Sequence, residues 1–166
     1  GIVFLSESTL GWAPFITSWL RTKHSDQQAI LQKQVFAVVN SLILDEAKCN
    51  CYMSISFTSR LKNGLSLIDS LISHVSNSSE HVTEAIICFA MAWCIGGIFD
   101  HLGRLSVDKS LKLNQLGELV PRNSSIYDGF VTSDGYWETW SSVIPTWTFT
   151  KGESFLNMVV PTEESV

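Results

Sequence analysis

Apolar residues recur at helical spacing along the first two thirds of the chain. In three stretches they fall at intervals of three and four residues, which places them on one face of a helix. The three stretches are Trp12 to Leu20, Ile30 to Ile43 and Leu61 to Val75. A weaker pattern with the same period runs from Leu105 to Leu116. Polar loops separate these stretches, so the pattern predicts an α-helical bundle.

The stretch from Glu84 to Arg104 has a different pattern. Between Ala85 and Ile95 cysteine is the only residue with a polar side chain, and a helix that is apolar on every side belongs in the centre of a core. A bilayer takes about 20 apolar residues to cross, whereas Gly96 and Gly97 interrupt this run much earlier. We therefore expect a buried helix rather than a membrane span. One of the two glycines is expected to take the left-handed conformation that ends many helices.

Three tryptophans of the predicted bundle are expected to be core residues, and one acidic residue is expected to cap a helix. The tryptophans are Trp12, Trp19 and Trp93. Asp26 precedes the second apolar stretch, where a carboxylate can accept hydrogen bonds from the free amides of a helix N-terminus. The segment from Asp45 to Ser59 has no clear period, and we expect a loop there.

After Pro121 aromatic and β-branched residues replace the helical pattern. They flank the step Asp134-Gly135, and an Asp-Gly step between two such runs is typical of a β-hairpin. The residues from Trp140 onward are expected to continue into a further strand at TWTF, residues 146–149. The apolar run from Phe155 to Val160 ends at Pro161, which a following helix accepts in its first turn.

Composition and charge narrow the range of partners. The formal net charge is −5 and the sequence has no basic stripe, so binding to nucleic acid or to an anionic membrane surface is not expected. Hydrophobic residues make up 45% of the chain and charged residues only 16%, which favours a piece of a larger assembly over a small free-standing protein. The four cysteines do not have the pattern of a disulfide framework, and we expect a reducing compartment.

The sequence has no motif for nucleotide hydrolysis. It contains no Gly-x-x-x-x-Gly-Lys-Ser/Thr loop and no apolar strand that ends in Asp-Glu, so these residues should be inactive alone. Four residues carry atoms that zinc binds, yet their spacing does not fit zinc ligands, and no metal site is expected. These residues are Cys49, Cys51, His74 and His81. Asp100 and His101 are the residue types of an orienter and a base in a hydrolase, but no nucleophile motif accompanies them.

Four blocks of this sequence resemble dynein heavy chains. The first is the run F-x-x-x-W-C-I-G-G-x-x-D-x-x-x-R at Phe89 to Arg104. The others, in the family's order, are GIVFLSESTLGWAPFITSWL at 1–20, IYDGFVTSDGYWETW at 126–140 and FLNMVVPTEES at 155–165. Together they cover essentially the whole chain and resemble the region that joins the second AAA+ module of the motor ring to the third. The family usually has Leu-Pro at the place of residues 22–24 and Trp-Leu at the place of residues 38–39, and this chain has neither. These two departures favour an axonemal heavy chain.

This resemblance implies a mainly α fold made of four parts. Residues 1–9 would be the last strand of the preceding AAA+ large subdomain, and residues 10–120 would be its α-helical lid. Residues 121–152 would form the β-hairpin and a Trp-rich linker. Residues 153–166 would start the next AAA+ module with its first strand.

The resemblance also implies contacts with a nucleotide. In AAA+ ATPases the segment that enters the large subdomain lies against the adenine, and apolar side chains suit the face of a base. The residues that match this segment are Val159, Val160, Pro161 and Thr162. Arg104 matches a lid arginine that some AAA+ modules point at the γ-phosphate, where a cation stabilises negative charge. Alternatively, Arg104 caps a helix or pairs with Asp100 or Asp108 on the surface.

The parent protein that the resemblance implies is an ATP-driven motor that moves on microtubules. Its cofactor is ATP or ADP, held mainly by parts of the heavy chain outside these residues. Its partners are the rest of the heavy-chain ring, the microtubule, and dynein intermediate and light chains, and its place is the cytoplasm and cytoskeleton, in the axoneme of a cilium or flagellum. The segment itself would be a lid and linker that couples the nucleotide states of adjacent modules.

An alternative interpretation is a stand-alone helical interaction module. In that case the tail that contains Trp137, Trp140 and Trp147 would bind a partner through its aromatic rings. In dynein heavy chains a tryptophan pair follows the hairpin and packs between modules, so the resemblance favours a packing role for these side chains.

Overall fold

The computed structural model describes residues 11–46, 49–76, 79–113 and 118–145, and helices dominate these ranges. The helices are α1 (Ala13–Leu20), α2 (Ser25–Glu46), α3 (Phe57–His74), α4 (Glu80–Met91), α5 (His101–Leu113) and α6 (Trp140–Val143). A π-helical turn, Ala92–Gly96, continues α4 without a break. Two short strands, β1 (Gly129–Val131) and β2 (Trp137–Thr139), form a hairpin. The predicted mainly α architecture with a short hairpin is confirmed.

Serine side chains start two of the helices. Ser56 accepts a hydrogen bond from the Ser59 amide at the start of α3, and Ser79 accepts one from the Val82 amide at the start of α4. Each serine satisfies an amide that has no partner within its helix. The predicted cap of α2 is wrong, because this helix already begins at Ser25 and Asp26 lies inside its first turn. There its carboxylate still faces the positive end of the helix dipole.

The apolar helix α4 lies at the centre of the bundle, as its sequence predicts. It packs against both α2 and α3, and α2 also packs against α5. The side chains of Ile86, Ile87, Cys88 and Ala90 are at most 1% exposed. Since consecutive residues of a helix point in different directions, the second half of α4 is covered on most of its circumference, and only Phe89 of residues 85–91 is half-buried. No helix among the described residues has both the length and the apolar character needed to span a membrane.

The two glycines after α4 do not take the predicted left-handed conformation. Gly97 has φ −61°, and within the described residues positive φ occurs at Gly11 and Gly135 instead. The helix does end at the glycines as predicted, because the π turn finishes at Gly96 and Gly97 is its C-cap residue. A Cβ at Gly97 would lie 2.3 Å from the carbonyl oxygen of Trp93, and a Cβ at Gly96 would lie 2.5 Å from the hydroxyl oxygen of Tyr127. At Gly97 the close atom belongs to the backbone, so this position requires glycine, whereas a side chain at Gly96 would force the Tyr127 side chain to shift.

Trp93 is not the core residue that the sequence predicts. It is 37% exposed, because it lies on the side of the π turn that meets the loop before the hairpin rather than α2 and α3. Trp12 and Trp19 are half-buried and pack against the core. The indole N–H of Trp19 donates to the carboxylate of Asp69 at 3.0 Å, which joins α1 to α3.

The hairpin turns at the predicted Asp-Gly step. Its register pairs Gly129 with Thr139 and Val131 with Trp137. Gly135 has φ 84°, a conformation that glycine adopts without the penalty a side chain would bring. The residues after β2 differ from the predicted continuation, since α6 begins at once at Trp140. The strand predicted at TWTF lies outside the described residues.

Candidate functional site

A clamp of charged side chains joins the helical bundle to the segment that leads into the hairpin. One carboxylate oxygen of Asp108 accepts a hydrogen bond from the backbone amide of Ile126 at 2.7 Å. The other accepts one from the Lys112 ammonium at 2.9 Å, and the same ammonium donates to the carbonyl of Ser124. The side chains of Asp108 and Lys112 are only 15% and 29% exposed. We call Asp108, Lys112 and the backbone of residues 124–126 the junction clamp.

Helix α5 positions both members of the clamp. Asp108 and Lys112 are four residues apart, so they lie one above the other on the same face, with the acid nearer the N-terminus as the favourable order requires. The start of α5 is fixed by Asp100, whose carboxylate accepts a hydrogen bond from the Gly103 amide at 2.7 Å. The same carboxylate accepts a second bond from the Asn50 side chain at 3.3 Å. Asp100 is therefore a helix cap rather than the orienter of a catalytic base.

An aromatic cluster covers the junction between α4 and the hairpin. Phe130 and Trp140 stack with ring centroids 4.6 Å apart, and Phe89 lies 6.5 Å from Trp140. Trp93 meets Tyr127 edge to face at 5.3 Å. Such aromatic pairs contribute about 0.5–1.5 kcal/mol beyond the area they bury. The cluster consists of side chains from α4, the π turn, β1 and α6, so it holds the hairpin against the bundle.

Two side chains from distant parts of the chain bind carbonyls of the π turn. The Tyr127 hydroxyl donates to the carbonyl of Ala92 at 3.2 Å. The Arg60 guanidinium, from α3, donates to the carbonyl of Ile95 at 2.8 Å. Arg60 is only 3% exposed, so its charge is held inside the protein. The π turn is thus fastened on one side to the bundle and on the other to the hairpin segment.

The turn end of the hairpin is attached to the bundle near the N-terminus of α4, away from the π turn. Val131 is buried in a small cluster with three residues of α4, Val82, Ala85 and Ile86. The carbonyl of Ser133 accepts a hydrogen bond from the Ser76 amide, just past the end of α3, at 2.9 Å. The hairpin segment therefore runs along α4 and is held at both ends of that helix.

The nucleotide-binding residues that the resemblance implies are only partly described by the structure. Val159, Val160, Pro161 and Thr162 lie outside the described residues. Arg104 lies in the first turn of α5 and is half-buried. Among the described residues no carboxylate forms an ion pair with its guanidinium, because Asp100 caps α5 and Asp108 belongs to the junction clamp. The alternative surface pairs for Arg104 are therefore not formed there, and its contact with phosphate stays a prediction.

The residues with metal-binding atoms lie in different places. Cys51 forms a backbone bridge with Phe99, whereas the Nδ1 atom of His74 lies 2.7 Å from the carbonyl of Ser70. His81 lies 3.7 Å from the carboxylate of Glu118. Within the ranges that the structure describes, no three His, Cys, Asp or Glu side chains come together as a metal site.

Burial changes the acidity of three groups on α4 and the π turn. It raises the pKa of the Cys88 and Cys94 thiols, which keeps both in the unreactive thiol form. Burial is also the largest cause that raises the pKa of Glu84, and repulsion from Glu118 adds to it. None of these groups has the properties of a catalytic nucleophile or base.

Sequence reasoning missed the main residues of this site. Asp108 and Lys112 have a spacing that indicates an ion pair, but no pattern shows that the carboxylate also reaches the backbone of Ile126, 18 residues later. Tyr127 carries no signal of its own, since its partner Ala92 lies 35 residues earlier. The geometry defines a helical bundle whose following hairpin is fastened to it, and no arrangement for covalent chemistry occurs among the described residues.

Comparison with known proteins identifies the family. The family model described as "Dynein heavy chain AAA lid domain" matches residues 30–142. The match spans more than half of the chain, and the chain therefore belongs to the dynein heavy chain AAA lid family. The predicted resemblance to dynein heavy chains is confirmed.

Several curated relatives are axonemal or flagellar dyneins of much greater length. Human dynein axonemal heavy chain 2 is 24% identical over 178 residues, which cover 100% of this chain and 4% of the relative. The dynein gamma chain of the flagellar outer arm from Chlamydomonas reinhardtii is 22% identical, again over 100% of this chain and 4% of the relative. Mouse dynein axonemal heavy chain 8 is 28% identical over 87% of this chain and 3% of its own length. The chain thus spans only a few per cent of these relatives.

Proposed function

We propose that these residues are the lid and linker between two adjacent AAA+ modules of an axonemal dynein heavy chain, the second and the third. The observation that supports this role is the junction clamp of Asp108 and Lys112 on residues 124–126. A displacement passes between two parts only if the contact between them is stiff. The clamp and the aromatic cluster give the lid and the hairpin such a contact. Closure of the lid over one nucleotide would therefore move the hairpin and the module behind it.

The nucleotide in this proposal is ATP or ADP, bound mainly by other parts of the heavy chain. Val159, Val160, Pro161 and Thr162 would contact the adenine of the third module. Arg104 would reach the γ-phosphate held by the second module, where its guanidinium stabilises negative charge. Its lack of a carboxylate partner among the described residues supports this role. The parent would be an ATP-driven microtubule motor of the axoneme, assembled with intermediate and light chains.

The rest of the heavy chain is the partner that we propose for an exposed apolar surface. This outer patch lies where the loop after α2 meets the start of α5, and its side chains are between 41% and 73% exposed. Its members are Tyr52, Met53, Ile55, Leu102 and Leu105. The loop is held there by a hydrogen bond from the Tyr52 amide to the carbonyl of Ile98 at 2.9 Å. Exposed apolar side chains gathered on one region of a surface favour an interface, and relatives about 25 times longer supply the chain to cover them.

Motility of the intact motor tests the proposed coupling. In a purified heavy-chain motor that contains these residues, the double substitution Asp108→Ala, Lys112→Met removes the clamp. We expect ATP hydrolysis to continue while the velocity of microtubule gliding falls, because the modules are no longer stiffly joined. A matched control, Asp26→Ala, Lys33→Met, removes an acid and a lysine that are exposed on α2. Equal gliding velocities in the two double variants would contradict the proposal.

A further inference from the structure

The π turn is the weakest point of the central helix. A π-helical turn is rare, has one residue more per turn than the α-helix favours, and is a common place for a helix to bend. Here it stands between the central helix α4 and residues 98–100, which lead into α5. The loop after α2 is joined to the same place, since the Tyr52 amide donates to the carbonyl of Ile98 and the Asp100 amide donates to the carbonyl of Asn50. A bend at the π turn would carry α5 and this loop together.

The two side chains that bind the π turn differ in where they are anchored. Arg60 is almost fully buried on α3, and it also donates to the carbonyl of Ile55 at 3.2 Å. It is therefore part of the bundle and stays with it. Tyr127 is only half-buried and belongs to the segment that leads into the hairpin. Its position depends on where the hairpin segment lies.

The glycines of the turn fit closely around the Tyr127 side chain. A Cβ at Gly96 would come within 2.5 Å of the Tyr127 hydroxyl oxygen and within 3.3 Å of Val107. Heavy atoms do not approach this closely, so the hydroxyl reaches the carbonyl of Ala92 only because position 96 has no side chain. The edge of the Trp93 ring then closes over the Tyr127 ring. The position of the Tyr127 side chain is therefore set largely by Trp93 and Gly96 of the π turn.

We propose that the π turn is a hinge of the lid and that the Tyr127 hydroxyl is the latch that holds it closed. The inference rests on the proposed function, because displacement of the hairpin segment is what would withdraw Tyr127. Once the hydroxyl leaves, the carbonyl of Ala92 loses this donor and the helix bends at the π turn. Arg60 keeps its bond to Ile95 and acts as the fixed side of the hinge. Helix α5, with the loop that contains Tyr52, then tilts about its contact with α2 and moves relative to α3 and α4.

Hydrogen exchange in the intact heavy-chain motor tests the hinge. Tyr127→Phe removes only the hydroxyl and keeps the ring against Trp93. We expect amides of residues 93–100 to exchange about fivefold faster, the factor that corresponds to one neutral hydrogen bond of about 1 kcal/mol. The Tyr52 amide should change with them, because a hinge moves its acceptor Ile98. The control is Tyr136→Phe, the same substitution at a side chain that is 72% exposed, and it should change neither region.

A double substitution separates the latch from general damage to the turn. Gly96→Ala places a methyl group 2.5 Å from the Tyr127 hydroxyl oxygen and so displaces it, and alone it should speed exchange of residues 93–100. In the Tyr127→Phe background that oxygen is absent, so the combined effect should be smaller than the product of the two single effects. The hinge is refuted if the two single effects multiply in the double variant. It is also refuted if Tyr127→Phe leaves the exchange rate of the Tyr52 amide, or that of residues 93–100, unchanged. These readouts do not depend on gliding, so the hinge can fail while the proposed lid function stands, and the reverse.

Discussion

Replacing Asp108 with alanine removes both carboxylate oxygens of the junction clamp at once and leaves Lys112 with the Ser124 carbonyl as its acceptor. The bond from the Ile126 amide is 2.7 Å long and goes to a carboxylate, and hydrogen bonds to charged groups contribute about 1.5–3 kcal/mol. Ile126 is 2% exposed, so water does not easily replace the lost acceptor. The partly exposed pair with Lys112 adds about 0.3–0.5 kcal/mol. We therefore expect opening of the junction to become easier by about 2–3 kcal/mol.

Hydrogen exchange of the Ile126 amide, measured by NMR or by mass spectrometry with fragmentation, reads this opening directly. A change of about 2–3 kcal/mol corresponds to roughly 30- to 160-fold faster exchange. Asp108→Asn keeps one neutral acceptor and should lie between the wild type and Asp108→Ala. The control Asp26→Ala removes an exposed carboxylate from α2 and should leave the Ile126 amide unchanged. Exchange in Asp108→Ala within about threefold of wild type would mean that the carboxylate does not hold the junction.

Four further substitutions test other parts of the structure. Burial raises the pKa of Glu84 above its ordinary 4.5, so the native state prefers the protonated acid and stability falls as pH rises through that value. Glu84→Gln should therefore raise the urea midpoint near neutral pH and have no such effect well below the ordinary pKa. Phe99→Ala empties a fully buried position and should cost about 3–5 kcal/mol in urea unfolding, whereas Trp93→Ala, at a 37% exposed site, should cost less than half as much. Gly103→Ala puts a Cβ 2.7 Å from Phe99 and 3.0 Å from Cys49, and should lower the melting temperature by an amount equivalent to about 1–3 kcal/mol despite the better helix propensity of alanine.

The sequence predicts those features that depend on neighbouring residues. Helical spacing identifies the buried faces of α2 and α3, and the unbroken apolar run identifies α4 as the central helix. The Asp-Gly step identifies the turn of the hairpin, because the conformation at Gly135 is a local property of that turn. These predictions succeed because period and turn chemistry are both set within a few residues.

The features that the sequence does not predict depend on contacts between distant residues. Gly96 and Gly97 correctly indicate a helix end, but no local pattern shows that the last turn is π-helical or that Gly96 lies against the Tyr127 hydroxyl. Trp93 looks like a core residue until the π turn places it beside the hairpin segment. The clamp is hidden for the same reason, since the spacing of Asp108 and Lys112 predicts an ordinary surface pair.

The attachment of the hairpin to both ends of α4 has a consequence for the order of assembly. The ribosome makes α3, α4 and α5, the helices of the bundle that the hairpin segment touches, before it makes Val131 and Ser133. Until those residues emerge, the carbonyl of Ala92 and the apolar side chains of Val82, Ala85 and Ile86 lack their last covering. The bundle is therefore finished by the strand that is synthesised after it, and a nascent chain paused before residue 126 would present these surfaces to chaperones.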